Sequence, residues 1–271
     1  MQDAREGVEL NMDLAKLNSA TKYPSILTYH EMGDRGRLQP SVQVPFPEGQ
    51  NLYVTEKVDG TNARIVLLPK SAPIDHHGLR HWLIGSREEL LTAQNDLVYA
   101  PDYGIVDALR PVAEALPLHP DMIQAWYFEV FGGNLPASKQ YTADKKIAFR
   151  LFDEASIPMS TLDMEIEKIA SWRDHGGQMF KDQRAMTELL GRLEIQTDLI
   201  LQRVPPLADV PSLPTSIEET YEWLKAFSKT HLDIGGGKGR AEGVVVRNSD
   251  RTAIAKLRFE DYERTLGVKR G

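Results

Sequence analysis

The 271-residue sequence contains no cysteine. That excludes disulfides, a thiol nucleophile and any zinc or iron–sulfur site built on cysteine, and it fits an intracellular chain. No run reaches the roughly twenty apolar residues that a membrane-spanning helix needs. The opening Met1-Gln2-Asp3-Ala4-Arg5-Glu6 is charged and lacks the apolar stretch of a secretory signal. The expectation is therefore an intracellular protein, cytoplasmic or nucleoid-associated. An overall basic excess is also missing, since the formal net charge is −7. Residues 235–271 nevertheless hold nine Lys/Arg against five Asp/Glu, a net of +4, which leaves −11 for the rest. Phosphate binding needs local positive potential and not a basic total, so this balance excludes neither nucleotides nor nucleic acid.

With 41% hydrophobic and 26% charged residues, the composition is that of a globular chain able to bury a core. Residues 1–50 are rich in turn formers and read as an irregular lead-in with at most one short helix. Residues 51–56 and 63–68 read as strands around a Gly-Thr-Asn turn, and 81–86 as another strand. The spacing from Gly104 to Leu116 predicts a helix ending before Pro117. Strands follow at 125–131 and 147–152. Helices are expected at about 160–173, 182–193 and 216–230, the last opened by Ser216 with Glu219 at the capping-box position. A closing strand pair, 241–247 and 252–258, is joined through Asn248-Ser249-Asp250-Arg251. Strands at both ends with helices inserted predict an α+β domain of antiparallel sheets flanked by helices.

The chemistry concentrates in a few short runs. In Glu56-Lys57-Val58-Asp59-Gly60-Thr61-Asn62, a lysine at a strand end meets an Asp-Gly turn, which sets an amine beside a carboxylate where backbone can approach phosphate closely. Such a lysine is a nucleophile only when unprotonated, so burial or neighbouring cations must lower its pKa. Further along come Ser86-Arg87, then Phe128-Glu129, a carboxylate on an aromatic strand that needs a partner such as a ribose hydroxyl. Phe152-Asp153 offers a ring for stacking on a base, with an acid behind it. Glu242-Gly243 opens an apolar strand with a carboxylate suited to a divalent cation. Lys256-Leu257-Arg258 places two cations on one strand face, as gripping a triphosphate requires. Each has a plainer alternative: Phe128 and Phe152 as core aromatics, Glu242 paired with Arg240, Lys256 and Arg258 on a solvated edge.

In this order, the six runs resemble the covalent nucleotidyltransferase superfamily of DNA ligases, RNA ligases and mRNA capping enzymes. The resemblance spans residues 51–258. Asn62 is similar to the RNA ligase branch, where DNA ligases and capping enzymes usually carry arginine, and the whole resembles an RNA ligase 2-like adenylyltransferase domain. Arg258 departs from the commoner lysine at that place. The resemblance implies a nucleotidyltransferase (ATP-grasp-like ligase) fold around a nucleotide cleft, with ATP as cosubstrate and Mg²⁺ or Mn²⁺ as metal. It implies Lys57 as the lysine that takes AMP, with Lys256 and Arg258 stabilising phosphate charge. Glu56, Asn62, Arg87, Glu129, Phe152, Glu242 and Lys256 would bind the nucleotide, and Glu242 and Asp59 the metal. Asn62 and Arg87 would also contact RNA ends bearing a 5′-phosphate and a 3′-hydroxyl, RNA being the implied partner. Alternatives of the same superfamily are a DNA or mixed-nick ligase and a capping-type guanylyltransferase; a non-catalytic nucleotide- or RNA-binding relic is the alternative of a different class.

Two other features point elsewhere. Gly235-Gly236-Gly237-Lys238-Gly239-Arg240 lacks the Ser or Thr that a phosphate loop carries after its lysine, so it reads as a flexible loop whose Lys238 or Arg240 could touch RNA. His76, His77 and His81 have no spacing of an established metal site. Thirteen residues follow Arg258, too few for an OB-type or helical C-terminal domain, so a single adenylyltransferase domain over 1–271 is expected.

Overall fold

The computed structural model describes residues 12–72, 81–91 and 103–268. The lead-in is more ordered than its lack of periodicity implies. The first helix, α1 (Leu14–Thr21), is capped by Asp13, whose side chain accepts from the N–H groups of Ala15 and Lys16 at 3.0 Å. It buries Leu17 and Ala20 completely. Strand β1 (Leu27–Thr28) runs parallel to a strand from the far end of the chain, and β2 (His30–Met32) pairs with β3 (Leu38–Val42). These segments are too short to show a period, and their partners are remote in sequence.

The expected strands follow as β4 (Leu52–Lys57), β5 (Thr61–Leu67) and β6 (Trp82–Ser86), with β7 (Leu90–Leu91) beyond. Helix α2 (Ile105–Ala115) stops at Leu116, one residue before the proline. Next come β8 (Met122–Gly132), β9 (Ile147–Pro158), α3 (Ile166–Asp174), β10 (Met179–Phe180) and α4 (Gln183–Thr197). Strand β11 (Pro206–Val210) precedes α5 (Ile217–Leu224), where the Ser216 side chain accepts from Glu219 N–H at 3.3 Å. The chain closes with β12 (Gly243–Asn248), β13 (Ile254–Arg258) and α6 (Phe259–Leu266). Helix α6 shows no start signal in the sequence, because Arg258 of the preceding strand serves directly as its N-cap residue.

Two large sheets result. One has the order β1-β13-β12-β4-β11, the other β10-β9-β8-β5-β6-β7. All their pairings are antiparallel except β1 with β13. On the first sheet, Leu52, Val54, Val244, Val246, Ala255 and Leu257 alternate onto one face and pack with residues of α5 and α6. On the second, Ile65, Trp126, Phe128 and Leu151 face α2 and α4, while Val66, Tyr127 and Ala155 face the side of α1 and α3. The chain passes from the first sheet to the second only three residues after β4 ends, through Val58-Asp59-Gly60. A cleft of about 420 Å³ opens between the sheets at this crossing.

Candidate active site

Strand alternation decides what reaches the cleft. On the first sheet Thr55, Lys57, Val245, Ile254 and Lys256 line it, on the face opposite the apolar core. Lys57 is the last residue of β4 and lies opposite Gly243, so its amine meets Glu242 at the start of β12 in a direct ion pair. Glu242 therefore pairs with Lys57, and Arg240 goes instead to Glu263. Burial raises the Glu242 pKa against the pull of Lys57. Lys256 is held below the usual lysine range, first by burial and then by the cations Arg258, Lys57 and Arg87.

The second sheet contributes Asn62, Glu129 and Phe152. Asn62 lies opposite Glu129 across β5 and β8. Burial pushes the Glu129 carboxyl up to about 8, helped by Glu242 and Asp59 and opposed by Lys57 and the Gly60 N–H. Among the described residues the buried side-chain oxygen of Asn62 has no hydrogen-bond partner, so the cleft that Lys57 lines is also lined by an acceptor and a carboxyl. Phe152 reaches the cleft through a β-bulge. Tyr127 pairs with Asp153 and Phe128 with Leu151, which leaves Phe152 as the extra residue and turns its ring out of the alternation. Phe128 stays in the core.

Arg87, beyond the end of β6, is 63% exposed at the side chain and borders the cleft. It also borders a second groove of about 530 Å³ that continues past Tyr23 and Ser25 to Lys22 and Arg173.

In two expected residues the charged group is engaged by the protein itself. Glu56 is 2% exposed, and its carboxylate accepts from the Thr230 hydroxyl and from His231 N–H at 2.8 Å. Glu56 lines the cleft beside Lys57, and its carboxylate anchors the segment before β12. Arg258 shares the strand face of Lys256, but its guanidinium is held by both oxygens of Asp261, at 2.7 and 2.8 Å, and lies outside the cleft lining. Asp59 lines the cleft with its backbone N–H fixed by the Tyr141 hydroxyl at 2.7 Å. Among the described residues no group of three or more His, Cys, Asp or Glu is arranged to hold a metal. His76 and His77 fall outside the described residues.

The sequence matches the RNA ligase family over residues 50–259. The chain belongs to the RNA ligase family. Among solved structures it is similar to a Naegleria gruberi RNA ligase mutant with AMP and Mn, at 15% identity, 91% coverage of this chain and 65% of that one, TM-score 0.46. It is likewise similar to mutants of that ligase with ATP and Mn, one at 15% identity, coverage of 91% and 64%, TM-score 0.46, another at 18%, 91% and 62%, TM-score 0.45. This RNA ligase family chain thus spans about 65% of the length of the solved structures it matches. No curated protein matches it. No helix among the described residues is long and apolar enough to cross a membrane.

In this family member the glycine-rich run is not a phosphate cradle. The N–H groups of Gly235 and Gly237 go to Asp233, that of Lys238 to Lys139 O and that of Gly239 to Gln140 O. A buried cluster that sequence reasoning did not single out lies at the Phe152 end of the cleft. Asp153 is fully buried and receives the Tyr23 hydroxyl at 2.8 Å and Arg251 Nε at 2.7 Å, with Arg247 at 3.8 Å. Arg251 comes from the β12–β13 turn of the first sheet and Asp153 from the second, so the cluster ties the two sheets together. Only Asp153 carried a motif signal. Its partners are scattered over more than two hundred residues and could be assembled only by the fold.

Proposed function

We propose that the chain is an ATP-dependent RNA ligase that joins 5′-phosphate and 3′-hydroxyl RNA ends through lysyl-AMP and AMP-capped RNA. The observation that carries this reading is the placement of Lys57. It ends a strand at the crossing between two sheets, on the wall of the cleft, paired to Glu242 and sharing a strand face with Lys256 two strands away.

Lys57 gives up a proton, for which Glu242 is the contacting acceptor with a raised pKa, and its amine attacks the α-phosphorus of ATP. An N–P bond forms and the bond to pyrophosphate breaks. Lys256 is positioned to balance phosphate charge. Phe152 stacks on the base, Glu129 and Asn62 hold ribose hydroxyls or phosphate, and Arg87 receives the 5′-phosphate of RNA. A 5′-phosphate oxygen then attacks the same phosphorus, and Lys57 leaves with a proton restored. Finally a 3′-hydroxyl attacks the 5′-phosphate and releases AMP.

A divalent cation suits the donors present. Glu242 and Asp59 are oxygen ligands too few to enclose an ion, which fits Mg²⁺ or Mn²⁺ held by one or two carboxylates plus water and nucleotide phosphates. When bound it supplies charge neutralisation at the phosphates.

Incubation with Mg²⁺ and α-labelled ATP is expected to leave acid-stable label on the protein, and Lys57→Ala to abolish it while the fold is kept. Label in Lys57→Ala would misplace the nucleophile. Label from GTP in place of ATP would turn the reading to a capping enzyme. Sealing assays on nicked RNA, DNA and mixed duplexes decide the substrate.

A further inference from the structure

Arg64 lies on β5, two residues beyond Asn62, and its side chain is completely buried. A buried guanidinium ordinarily faces a carboxylate, because an unpaired interior charge is costly. Among the described residues the hydrogen-bond partners of Arg64 are neutral oxygens, and the Glu88 carboxylate acts on it only through its charge. It donates to the main-chain carbonyl of Ser86, to that of Arg87 at 3.1 Å, and to the side-chain oxygen of Asn18. Burial lowers its pKa to about 10, so the protein bears the cost of this charge.

The space for it is built in. Arg64 pairs with Gly85 of β6, and a methyl group on Gly85 would stand 3.0 Å from the Glu89 main-chain carbonyl oxygen and 3.1 Å from the guanidinium carbon and Nε. Both main-chain carbonyls that Arg64 holds belong to the turn that presents Arg87, and Asn18 in turn donates to the carbonyl of Glu88 at 3.0 Å. Among the described residues, the exposed Arg87 makes loose side-chain contacts, with Ser25 Oγ and Glu88 Oε1, both at 3.5 Å. Its aim is set by the backbone beneath it.

We propose that Arg64 is a positioning residue for the RNA-dependent steps, fixing the Ser86–Glu88 turn so that Arg87 meets the 5′-phosphate between the cleft and the adjoining groove. This rests on the ligase reading of the site. Arg64 touches neither nucleotide nor RNA; it acts through Arg87. Its loss is therefore felt when AMP is transferred to RNA and hardly at all when Lys57 takes AMP from ATP.

The test measures lysine labelling by ATP, and separately AMP transfer to 5′-phosphorylated RNA, for wild type, Arg64→Met, Arg64→Lys, Arg87→Ala and the Arg64→Met/Arg87→Ala pair. Arg64→Met is expected to keep labelling within about twofold and to raise KM for RNA by roughly tenfold, the scale of one lost hydrogen bond to a charged group. Arg64→Lys restores part of that loss. The double variant is no slower than Arg87→Ala alone, because both changes remove one function. Unchanged RNA transfer in Arg64→Met, or losses that multiply in the double variant, overturns the proposal. If Arg64→Met unfolds, Arg64→Lys decides, since it keeps the buried charge and loses the fork that holds the Ser86 and Arg87 carbonyls together. A loss of RNA transfer that vanishes in the Arg87→Ala background supports the proposal, and an unaltered step overturns it. A wild type that takes no label from ATP overturns the ligase reading and this inference with it. A labelled wild type with insensitive Arg64 variants overturns this inference alone.

Discussion

At the scale of single residues, the cleft is governed by how burial and neighbouring charge shift its acids and bases. Glu129 illustrates the sign. Its folded pKa of about 8 lies above the 4.5 of the unfolded chain, so the native state holds a proton that the unfolded state has lost. The stabilising effect of that proton is complete below about pH 4.5 and is lost as pH rises through 8, at most about 1.4 kcal/mol per pH unit per proton. Glu129→Gln is therefore expected to flatten the fall of stability between pH 5 and 8 and to be more stable than wild type above it. Denaturant midpoints across this range measure the difference, and parallel pH profiles for the two proteins would refute it. The raised carboxyls of Glu56 and Glu242 act in the same direction and leave a residual slope.

At the scale of elements, the decisive piece is the three-residue passage from β4 to β5. Gly60 is there for lack of space. A Cβ would stand 2.2 Å from the Val130 carbonyl oxygen, which belongs to the backbone of β8 and cannot swing aside. Gly60→Ala must push the passage off β8, and with it Lys57 on one side and Asn62 on the other. The expected cost is roughly 1–3 kcal/mol of stability, with a fall of at least about tenfold in lysine labelling, since near-attack geometry is sensitive to shifts on the order of 1 Å. Full labelling in a Gly60→Ala protein would show that the passage tolerates displacement. The bulge at Phe152 belongs to this scale too, because without the extra residue its ring would follow the alternation of β9.

At the scale of the whole molecule, two sheets with separate cores must be held at a fixed separation for the cleft to exist. Asp153 does much of this. It is a buried anion of one sheet bound by Arg251 and Arg247 of the other and by Tyr23, while Arg251 stacks on Phe180 at 3.5 Å from the ring centroid. Removing the anion leaves two buried cations unpaired. Asp153→Ala is expected to cost about 3–5 kcal/mol, read by chemical unfolding, and to weaken ATP labelling through the altered cleft. A loss below about 1 kcal/mol would mean the sheets are aligned by other contacts.

The sequence by itself determined the strands around Lys57, most of the later helices, and the order of motifs that marks the RNA ligase family. These are legible because strand alternation, helix period and capping are local in the chain. Lys57, Glu242, Lys256, Glu129 and Phe152 were nameable in advance, since their neighbours in sequence carry the pattern. Only the tertiary structure decided which side chains face the cleft. It sent the Glu56 carboxylate to Thr230 and His231, tied Arg258 to Asp261 and turned Phe152 out by a bulge. It also drew Asn18, Tyr23, Arg64, Asp153, Arg247 and Arg251 into place from distant segments. The reason is physical: periodicity fixes the face on which a residue lies, whereas the partner that satisfies a buried charge is set by which strands become neighbours.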